Sequence, residues 1–270
     1  MSDPAAHPGN TRPFAVVTGA STGIGRELAH LLASDGYELL VNAEGPELER
    51  ATSELRALGA QVTPMRADLA TYDGTEVLYA AVRDTGRPVD VLALNAGVGQ
   101  GGRFLDTELA DEARVIDLNI TSSVHLAKRL LPGMVERNQG RLLVTSSIAA
   151  TMPGSYQAVY NASKSFLQSF TQALSDELRA SGSRVTVTSL MPGPTETHFF
   201  RRAGMLDTPV GSGKKDDPGQ VARQGYEAML AGRRKVVAGS PATRAQGVAN
   251  KVLPDRVKAV VHRRMAQPRR

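Results

Sequence analysis

The sequence contains no cysteine, so the chain can form neither disulfide bonds nor metal sites built on thiolates. Its five histidines are scattered and show no spacing typical of metal ligands, so we expect no zinc site. They are His7, His30, His125, His198 and His262. Aromatic residues are also scarce, at 4% of the 270 residues.

Long apolar runs are missing as well. No run approaches the length of a membrane-spanning helix, so no transmembrane segment is expected. The first dozen residues, "MSDPAAHPGNTR", lack the apolar core of a secretion signal and predict a disordered tail over residues 1–12. We therefore expect a cytoplasmic, reducing location. The remaining composition, 41% hydrophobic and 22% charged, fits one large soluble domain with a full core.

The net charge of +5 is unevenly distributed along the chain. From Arg233 to Arg270 there are eleven basic residues and one acid, Asp255, whereas the residues before them carry 21 basic and 26 acidic side chains. The main body is therefore acidic, at about −5, and the tail is basic, at about +10. Nucleic acid or an anionic membrane would have to bind through the tail, if at all.

An apolar stripe in the basic tail favours a packed helix over a binding segment for nucleic acid. We expect this stripe to be buried against the acidic main body of the same or a neighbouring subunit. The stripe consists of Leu253, Val257, Val260, Val261 and Met265. Residues 241–270 are accordingly predicted to form a basic helical extension that follows a main domain over residues 13–240.

Short apolar, β-branched runs alternate with helical patterns through the main domain. The predicted strands are "FAVVT" (Phe14–Thr18), "ELLVN" (Glu38–Asn42), "QVTPMRADL", "VDVLALNAG", "GRLLVTSS", "RVTVTSL" and "RKVVAGS". This alternation predicts an α/β fold: a doubly wound, Rossmann-like parallel sheet of about seven strands with helices on both faces. The polar segment Arg201–Pro218, rich in glycine and proline, predicts a mobile loop.

A glycine cluster follows the first predicted strand in "VTGASTGIGRELA". Glycines at this point let the backbone approach a diphosphate closely, and the helix that follows offers free N–H groups and the positive end of its dipole. Ligands of such sheets bind beyond the carboxyl ends of the strands. The cluster, spaced Gly-x-x-x-Gly-x-Gly, therefore predicts a nucleotide cradle rather than a simple tight turn.

A tyrosine and a lysine stand four residues apart in "VYNASKSFLQSF", at the start of a predicted helix. Residues at this spacing are neighbours on one helical face. Together with "TGASTGIG", "ADL", "NAG", "VIDLNI", "VTSSIAA" and "PGPTET", all in order, this "YNASK" motif resembles those of the short-chain dehydrogenase/reductase family. The resemblance extends from about Phe14 to Gly239 and implies a compact single-domain enzyme.

The resemblance implies a role for each matching residue. Tyr160 would be the catalytic acid/base, Lys164 its partner, and Asn119 the helix residue that positions a proton-relay water. Ser147 would orient the substrate, and it is preferred over Ser146 because the family places this serine thirteen residues before the tyrosine. The residues implied in cofactor binding, besides Tyr160 and Lys164, are Gly19, Ser21, Gly23, Ile24, Gly25, Glu44, Asp68, Leu69, Asn95, Ala96, Gly97, Pro192, Gly193, Thr195 and Thr197.

For proton transfer at neutral pH, the pKa of the catalytic tyrosine should lie near 7 rather than near 10. We expect the charge of Lys164, with that of an oxidised nicotinamide, to lower it by about three pH units, which corresponds to about 4 kcal/mol. Tyr156 has no lysine four residues later and is instead a candidate for the substrate pocket.

The cofactor is expected to be NAD, with NADP not excluded. In the family, an arginine after the second strand or a basic residue in the glycine turn commonly holds the 2′-phosphate of NADP, and here these places carry Glu44 and Thr22. A carboxylate would repel a phosphate but can accept hydrogen bonds from a ribose hydroxyl. Glu44 could also be a solvated loop residue, and Arg66 is an alternative basic contact.

The predicted function is hydride transfer between a nicotinamide cofactor and a secondary alcohol or carbonyl compound. The family usually forms dimers or tetramers, so we expect a homo-oligomer. The alternatives are a catalytically idle regulatory protein that binds a dinucleotide, and a binder of nucleic acid or anionic membranes through the tail. The substrate pocket is expected from the loop after Leu94, from Ala149–Val159 and from Arg201–Pro218. The first two segments supply mainly small or apolar residues, which favours a neutral, moderately hydrophobic substrate.

Overall fold

A computed structural model describes residues 12–269, in which seven short apolar segments form a single parallel sheet. The strand order is β3-β2-β1-β4-β5-β6-β7, and every neighbouring pair is parallel. The strands are β1 (Phe14–Thr18), β2 (Glu38–Ala43), β3 (Val62–Arg66), β4 (Val91–Leu94), β5 (Arg141–Thr145), β6 (Thr186–Pro192) and β7 (Lys235–Ala238). The predicted fold class is confirmed. The predicted tail over residues 1–12 lies outside the described residues except for Arg12.

Helices follow the strands and cover both faces of the sheet. They are α1 (Gly23–Ser34), α2 (Glu47–Ala57), α3 (Tyr72–Asp84), α4 (Leu109–Ile116), α5 (Ser122–Glu136), α6 (Ala158–Ala180), α7 (Phe199–Arg202), α8 (Pro209–Ser212), α9 (Pro218–Leu230), α10 (Pro241–Ala249) and α11 (Asp255–Ala266). A π-helical turn (Asp117–Thr121) joins α4 to α5, and a 3₁₀ turn (Ile148–Thr151) follows β5. None of the helices within residues 12–269 combines the length and apolar character needed to cross a membrane.

The two faces of the sheet bury separate hydrophobic cores. On one face Val17, Val41 and Leu143 pack with the apolar sides of α1, α2 and α9; on the other, Val16 and Leu92 pack with α3, α5 and α6. Successive strand residues point to opposite faces, so β1 contributes to both cores. Burial on both faces explains why the strands are almost uniformly apolar.

Local sequence signals explain where several helices begin. The side chain of Thr71 accepts a hydrogen bond from the Gly74 N–H at 3.0 Å and caps α3. Asp217 caps α9 in the same way, accepting from the Gln220 N–H at 2.7 Å, with Pro218 in the first helical position. The cap of α9 therefore ends the segment that the sequence predicted to be a mobile loop.

That segment, Arg201–Pro218, is folded onto the domain with helical turns and buried residues, which differs from the predicted mobile loop. It contains the end of α7 and all of α8, and Met205 and Thr208 are almost fully buried. The carboxylate of Asp216 accepts hydrogen bonds from Thr243 Oγ1 at 2.6 Å and the Ser240 N–H at 3.0 Å. Apolar residues interspersed among glycine and proline, together with this buried carboxylate, hold the segment in place.

The C-terminal extension forms two helices, and its packing differs from the prediction. Four residues of the predicted stripe are 37–44% exposed, namely Leu253, Val257, Val260 and Val261. The expectation that the stripe is buried within the same chain is therefore wrong. The opposite face of α11 is buried instead, through His262 and Ala266. Ala266 packs with Phe200 in a small core outside the main sheet. Burial of the stripe against a neighbouring subunit stays a prediction.

Candidate active site

The strand order reverses between β1 and β4, and a cavity of about 800 Å³ opens beyond the carboxyl ends of these strands. β2 and β3 lie on one side of β1, whereas β4 to β7 lie on the other. The loops after β1 and β4 therefore diverge and leave a crevice between them, which is where ligands bind in open α/β sheets.

The glycine turn after β1 forms part of the cavity wall. Gly19 and Gly23 have φ angles of +66° and +58°, which residues with a Cβ rarely adopt. A Cβ on Gly19 would lie 2.9 Å from the Ala96 Cα, and one on Gly23 would lie 2.6 Å from Thr197 Cγ2. Helix α1 begins here with no acidic residue in its first turn and no side-chain cap, which leaves its N–H groups available to an anion.

An ion-pair network occupies the part of the cavity beyond β2 and β3. Arg114 on α4 donates to both carboxylate oxygens of Asp68, at 2.9 and 3.2 Å, and to Glu44 at 2.7 Å. Burial alone would raise the pKa of Asp68, but hydrogen bonds from Arg114 and the Ala70 N–H outweigh it and hold this pKa below its usual value. The sequence analysis did not identify Arg114. Arg66 instead donates to the Glu44 carbonyl at 3.4 Å and does not line the cavity.

The end of β4 is fastened to its neighbouring strands by side-chain hydrogen bonds. The Thr18 hydroxyl accepts from the N–H groups of Asn95 and Ala96, both at 3.0 Å. The amide oxygen of Asn95 accepts from Thr145 Oγ1 at 3.0 Å. Leu94, the residue before Asn95, points into the core as a buried side chain. The "NAG" segment is thereby held rigidly beneath the cavity.

Asn119 lies in the π-helical turn, and its side chain clamps the loop after β4. Its amide oxygen accepts from the Val98 N–H at 2.9 Å, and its amide nitrogen donates to the Val98 carbonyl and to Ser163 Oγ, both at 2.9 Å. The side chain does not line the cavity. Its predicted role in holding a proton-relay water stays a prediction, and its amide atoms are already bonded to protein.

Ser147, Tyr160 and Lys164 meet at the centre of the cavity wall. Tyr160 and Lys164, one turn apart on α6, are only 9% and 4% exposed. The Lys164 ammonium donates to the Thr145 carbonyl at 2.9 Å and lies 5.8 Å from the centre of the Tyr160 ring. Both Ser146 and Ser147 line the cavity, but the Ser146 hydroxyl donates to the Lys164 carbonyl at 2.8 Å, whereas Ser147 is the serine hydrogen-bonded to Tyr160.

Burial dominates the ionisation of the tyrosine and the lysine. It raises the pKa of Tyr160 to about 12, with a hydrogen bond to Ser147 opposing the rise, and it lowers the pKa of Lys164 to about 8. The sequence analysis expected Lys164, together with a nicotinamide charge, to lower the pKa of Tyr160 toward 7. The groups of this chain alone do not produce that lowering, because desolvation of Tyr160 outweighs its hydrogen bond to Ser147.

The loop after β6 closes the other side of the cavity. Pro192, Gly193, Thr195 and Thr197 all line it. Phe199, which follows this loop, packs against the Tyr160 ring with centroids 5.0 Å apart. A second aromatic contact of 5.3 Å joins Phe199 to Phe200. This aromatic wall extends from Tyr160 toward the C-terminal extension.

Most of the predicted site residues are brought together in this one cavity. Gly25 and Asn119 are the exceptions: a Cβ on Gly25 would lie 2.3 Å from the Gly19 carbonyl oxygen, so it packs beneath the turn. The predicted residues that line the cavity are Gly19, Ser21, Gly23, Ile24, Glu44, Asp68, Leu69, Asn95, Ala96, Gly97, Ser147, Tyr160, Lys164, Pro192, Gly193, Thr195 and Thr197.

The cavity also includes residues from the C-terminal extension, which the sequence analysis did not place there. These are Gln246 of α10 and His262 and Met265 of α11. No spacing in the sequence indicated them, because their approach depends on how α11 packs against α8. Tyr156, a candidate pocket residue, has a φ of +66° and packs in the small core with Phe200 instead.

Comparisons with known proteins agree with this geometry. Residues 13–205 match the family model described as short chain dehydrogenase. Acetoacetyl-CoA reductase from Cupriavidus necator is 32% identical over 201 residues, which cover 73% of this chain and 81% of that relative. Two solved structures are also similar in fold. A short chain dehydrogenase/reductase from Burkholderia phymatum in complex with NAD is 28% identical, with a TM-score of 0.80 over 88% of this chain and 92% of that chain.

The second structure is a short-chain dehydrogenase from Sphingobium yanoikuyae in complex with NADPH. It is 27% identical, with a TM-score of 0.77 over 88% of this chain and 93% of that chain. The family match covers the glycine turn, the end of β4 and the Tyr160–Lys164 pair, which are the parts that build the cavity. The chain is therefore an oxidoreductase that belongs to the short-chain dehydrogenase/reductase family.

Proposed function

We propose that this protein transfers a hydride between a nicotinamide cofactor and a secondary alcohol or carbonyl substrate, with Tyr160 as the acid/base. The observation that carries the proposal is the convergence of buried Tyr160 and Lys164 with Ser147 in a cavity continuous with the glycine turn. The relative named acetoacetyl-CoA reductase supports reduction of a carbonyl group. The intact trio argues against the alternative of a catalytically idle dinucleotide-binding protein.

The cavity fits a dinucleotide. The glycine turn leaves room where Cβ atoms would clash, and the start of α1 offers N–H groups to the diphosphate. Asp68 and Leu69 would lie beside the adenine, while Gly193, Thr195 and the hydroxyl of Thr197 would hold the nicotinamide end. When bound there, a nicotinamide supplies or accepts the hydride, and its oxidised form adds a positive charge near Tyr160.

The side chains of this chain would handle the proton and the substrate oxygen. Ser147 would donate a hydrogen bond to that oxygen and orient it, while the Tyr160 hydroxyl gives its proton during carbonyl reduction or takes one during alcohol oxidation. Lys164 would hold the ribose hydroxyls and favour the phenolate of Tyr160. Phe199 shields one side of the phenol from water, which strengthens every charge interaction there.

We propose NAD as the preferred cofactor because acidic groups dominate the adenosine end of the cavity. The acids that line this end are Glu44, Glu47, Asp68 and Asp111. Among residues 12–269, one cation lines the same end, Arg114, and it is already paired with Asp68 and Glu44. A 2′-phosphate would meet net negative charge, whereas a ribose hydroxyl can donate to a carboxylate. Similar structures hold NAD in one case and NADPH in the other.

The substrate is proposed to be a small molecule that is neutral and moderately hydrophobic. The half of the cavity beyond Tyr160 is lined by Phe199, Phe200, Val210 and Met152.

A homodimer or homotetramer is part of the same proposal, supported by the apolar Phe166, which is 42% exposed on the long helix α6. The cytoplasmic location stays a prediction from the sequence.

The reaction is tested by screening ketones with NADH and NADPH, and secondary alcohols with NAD⁺ and NADP⁺, while the nicotinamide absorbance is monitored. Replacing Tyr160 with phenylalanine removes only the ionisable oxygen, so Tyr160→Phe should lose at least about 100-fold in kcat while cofactor binding measured by fluorescence titration is retained. Retention of a tenth of the wild-type rate on the best substrate would contradict the role of Tyr160.

A further inference from the structure

The substrate half of the cavity is closed by a histidine from the C-terminal extension, outside the motifs that define the family resemblance. His262 lies on α11 and is only 6% exposed, and its ring lines the cavity. A buried imidazole that faces a cavity invites a ligand, because its polar nitrogens each need a hydrogen-bond partner. The two nitrogens of this ring differ in their surroundings.

The Nδ1 atom of His262 lies 3.0 Å from the carbonyl oxygen of Ser155. A carbonyl oxygen can only accept a hydrogen bond, so Nδ1 must carry the proton. Burial lowers the pKa of His262, although the bond to Ser155 opposes this, and the ring is accordingly neutral at pH 7. In a neutral ring with its proton on Nδ1, the Nε2 atom is a hydrogen-bond acceptor.

The Nε2 atom of His262 makes no hydrogen bond within the described part of the chain, residues 12–269. The atom is not fully enclosed by protein either, because it retains some solvent-accessible surface. The ring that carries this atom lines the cavity. The acceptor is fixed in place because the Ser155 bond sets the orientation of the ring.

Several apolar side chains lie near this acceptor, beside the polar Gln246 of α10. Met265 of the same helix and Val210 of α8 line the cavity, and the wall of Phe199 and Phe200 connects this end to Tyr160. Ala266, one turn after His262, packs with Phe200 in the small core. A ligand that follows the aromatic wall from Tyr160 can reach the oriented Nε2 acceptor of His262.

We propose that His262 is a substrate-binding residue whose Nε2 accepts a hydrogen bond from a hydroxyl group remote from the reacting carbon, so that the preferred substrates are hydroxyketones or diols with an apolar body. The reacting group is taken from the proposed function. A substrate that lacks the remote hydroxyl leaves Nε2 unpaired in a desolvated place, which penalises its binding.

Binding can be tested without turnover. Wild-type protein is saturated with the oxidised nicotinamide cofactor that it binds, and ketones are titrated by calorimetry. The probes are 2-hexanone, 2-octanone and 2-decanone, each with and without a terminal hydroxyl, and 4-phenyl-2-butanone with and without a para hydroxyl. We expect the hydroxylated member of at least one pair to bind about tenfold more tightly, as for one well-placed hydrogen bond.

Two substitutions separate the two nitrogens of the ring. His262→Asn places an amide nitrogen near the Nδ1 position and can keep the Ser155 bond, but it removes the acceptor, so the tenfold preference should vanish. His262→Gln places an amide oxygen near the Nε2 position and should keep part of the preference while lowering the melting temperature. Arg263→Phe changes the exposed neighbouring position on α11 and serves as the control that should keep the full preference.

A third measurement uses the wild-type protein alone, in case a variant does not fold. The ¹⁵N resonance of His262 Nε2 should move when the hydroxylated ketone binds and stay in place with its unhydroxylated partner. Equal affinities within every pair, a preference that survives His262→Asn, or an unmoved Nε2 resonance would each overturn the inference. A binding preference without any turnover would instead support the inference and refute the proposed reaction.

Discussion

The charge of Lys164 can be removed with little change of shape by the substitution Lys164→Met. The ammonium lies 5.8 Å from the centre of the Tyr160 ring, and both side chains are buried. At that distance from the ring, and with an effective dielectric constant of about 20, the charge of a protonated Lys164 stabilises the phenolate by about 3 kcal/mol. This corresponds to about two pH units in the ionisation of the tyrosine.

The direction of the effect follows from the proposed role of the Tyr160 phenolate as the base in alcohol oxidation. Oxidation should rise with pH as Tyr160 ionises, so Lys164→Met should move the midpoint of this rise upward by about two pH units. At a pH below both midpoints, oxidation should slow about 100-fold. Carbonyl reduction needs the protonated phenol, so it should persist to higher pH in the variant than in the wild type.

The assay is the pH profile of kcat for both directions at saturating cofactor, because Lys164 is also proposed to hold the ribose. Lys215→Met is a matched control: the Lys215 side chain is only 9% exposed and lies 5.6 Å from the Phe200 ring, but it does not line the cavity. The control should leave the midpoint unmoved. A midpoint that stays in place in Lys164→Met would refute the electrostatic reasoning.

Three further predictions concern the cofactor and the packing of the extension. Glu44→Arg should narrow or reverse a preference for NADH over NADPH in titrations at one ionic strength, and equal or tighter NADPH binding by the wild type would refute the choice of NAD. Asp216→Ala leaves Thr243 without its acceptor and should cost about 1–3 kcal/mol of stability in urea unfolding; an unchanged midpoint would contradict this. Truncation after Gly239 should lower the melting temperature or change the oligomer size, and an unchanged melting curve with unchanged mass would count against packing of the extension.

Much of the fold was predictable because its signals are local. Runs such as "FAVVT" are too short and too β-branched for helices, and helical patterns separate them, so a parallel sheet followed from spacing alone. The glycine turn was equally readable, since Gly19 and Gly23 take φ values that other residues avoid. The segment Arg201–Pro218 was predicted to be a loop because it is rich in glycine and proline, and this composition gave no sign that Met205 would be buried.

The site was only partly readable, because several of its contacts join residues far apart in the chain. Nothing near Arg114 in the sequence indicates that it bridges Glu44 and Asp68, which lie 70 and 46 residues away. His262 reaches the cavity only because α11 packs against α8, and it then bonds a carbonyl 107 residues away.

The sequence by itself determined the family, the order of the strands along the chain, and the tyrosine and lysine that share one face of α6. Tertiary structure decided the environment of those groups. Burial raises the pKa of Tyr160 to about 12 and lowers that of Lys164 to about 8, whereas the sequence analysis had expected the charges of Lys164 and an oxidised nicotinamide to lower the tyrosine pKa. Helical spacing brings charges together, but desolvation depends on every element packed around them, and no local pattern in the sequence records it.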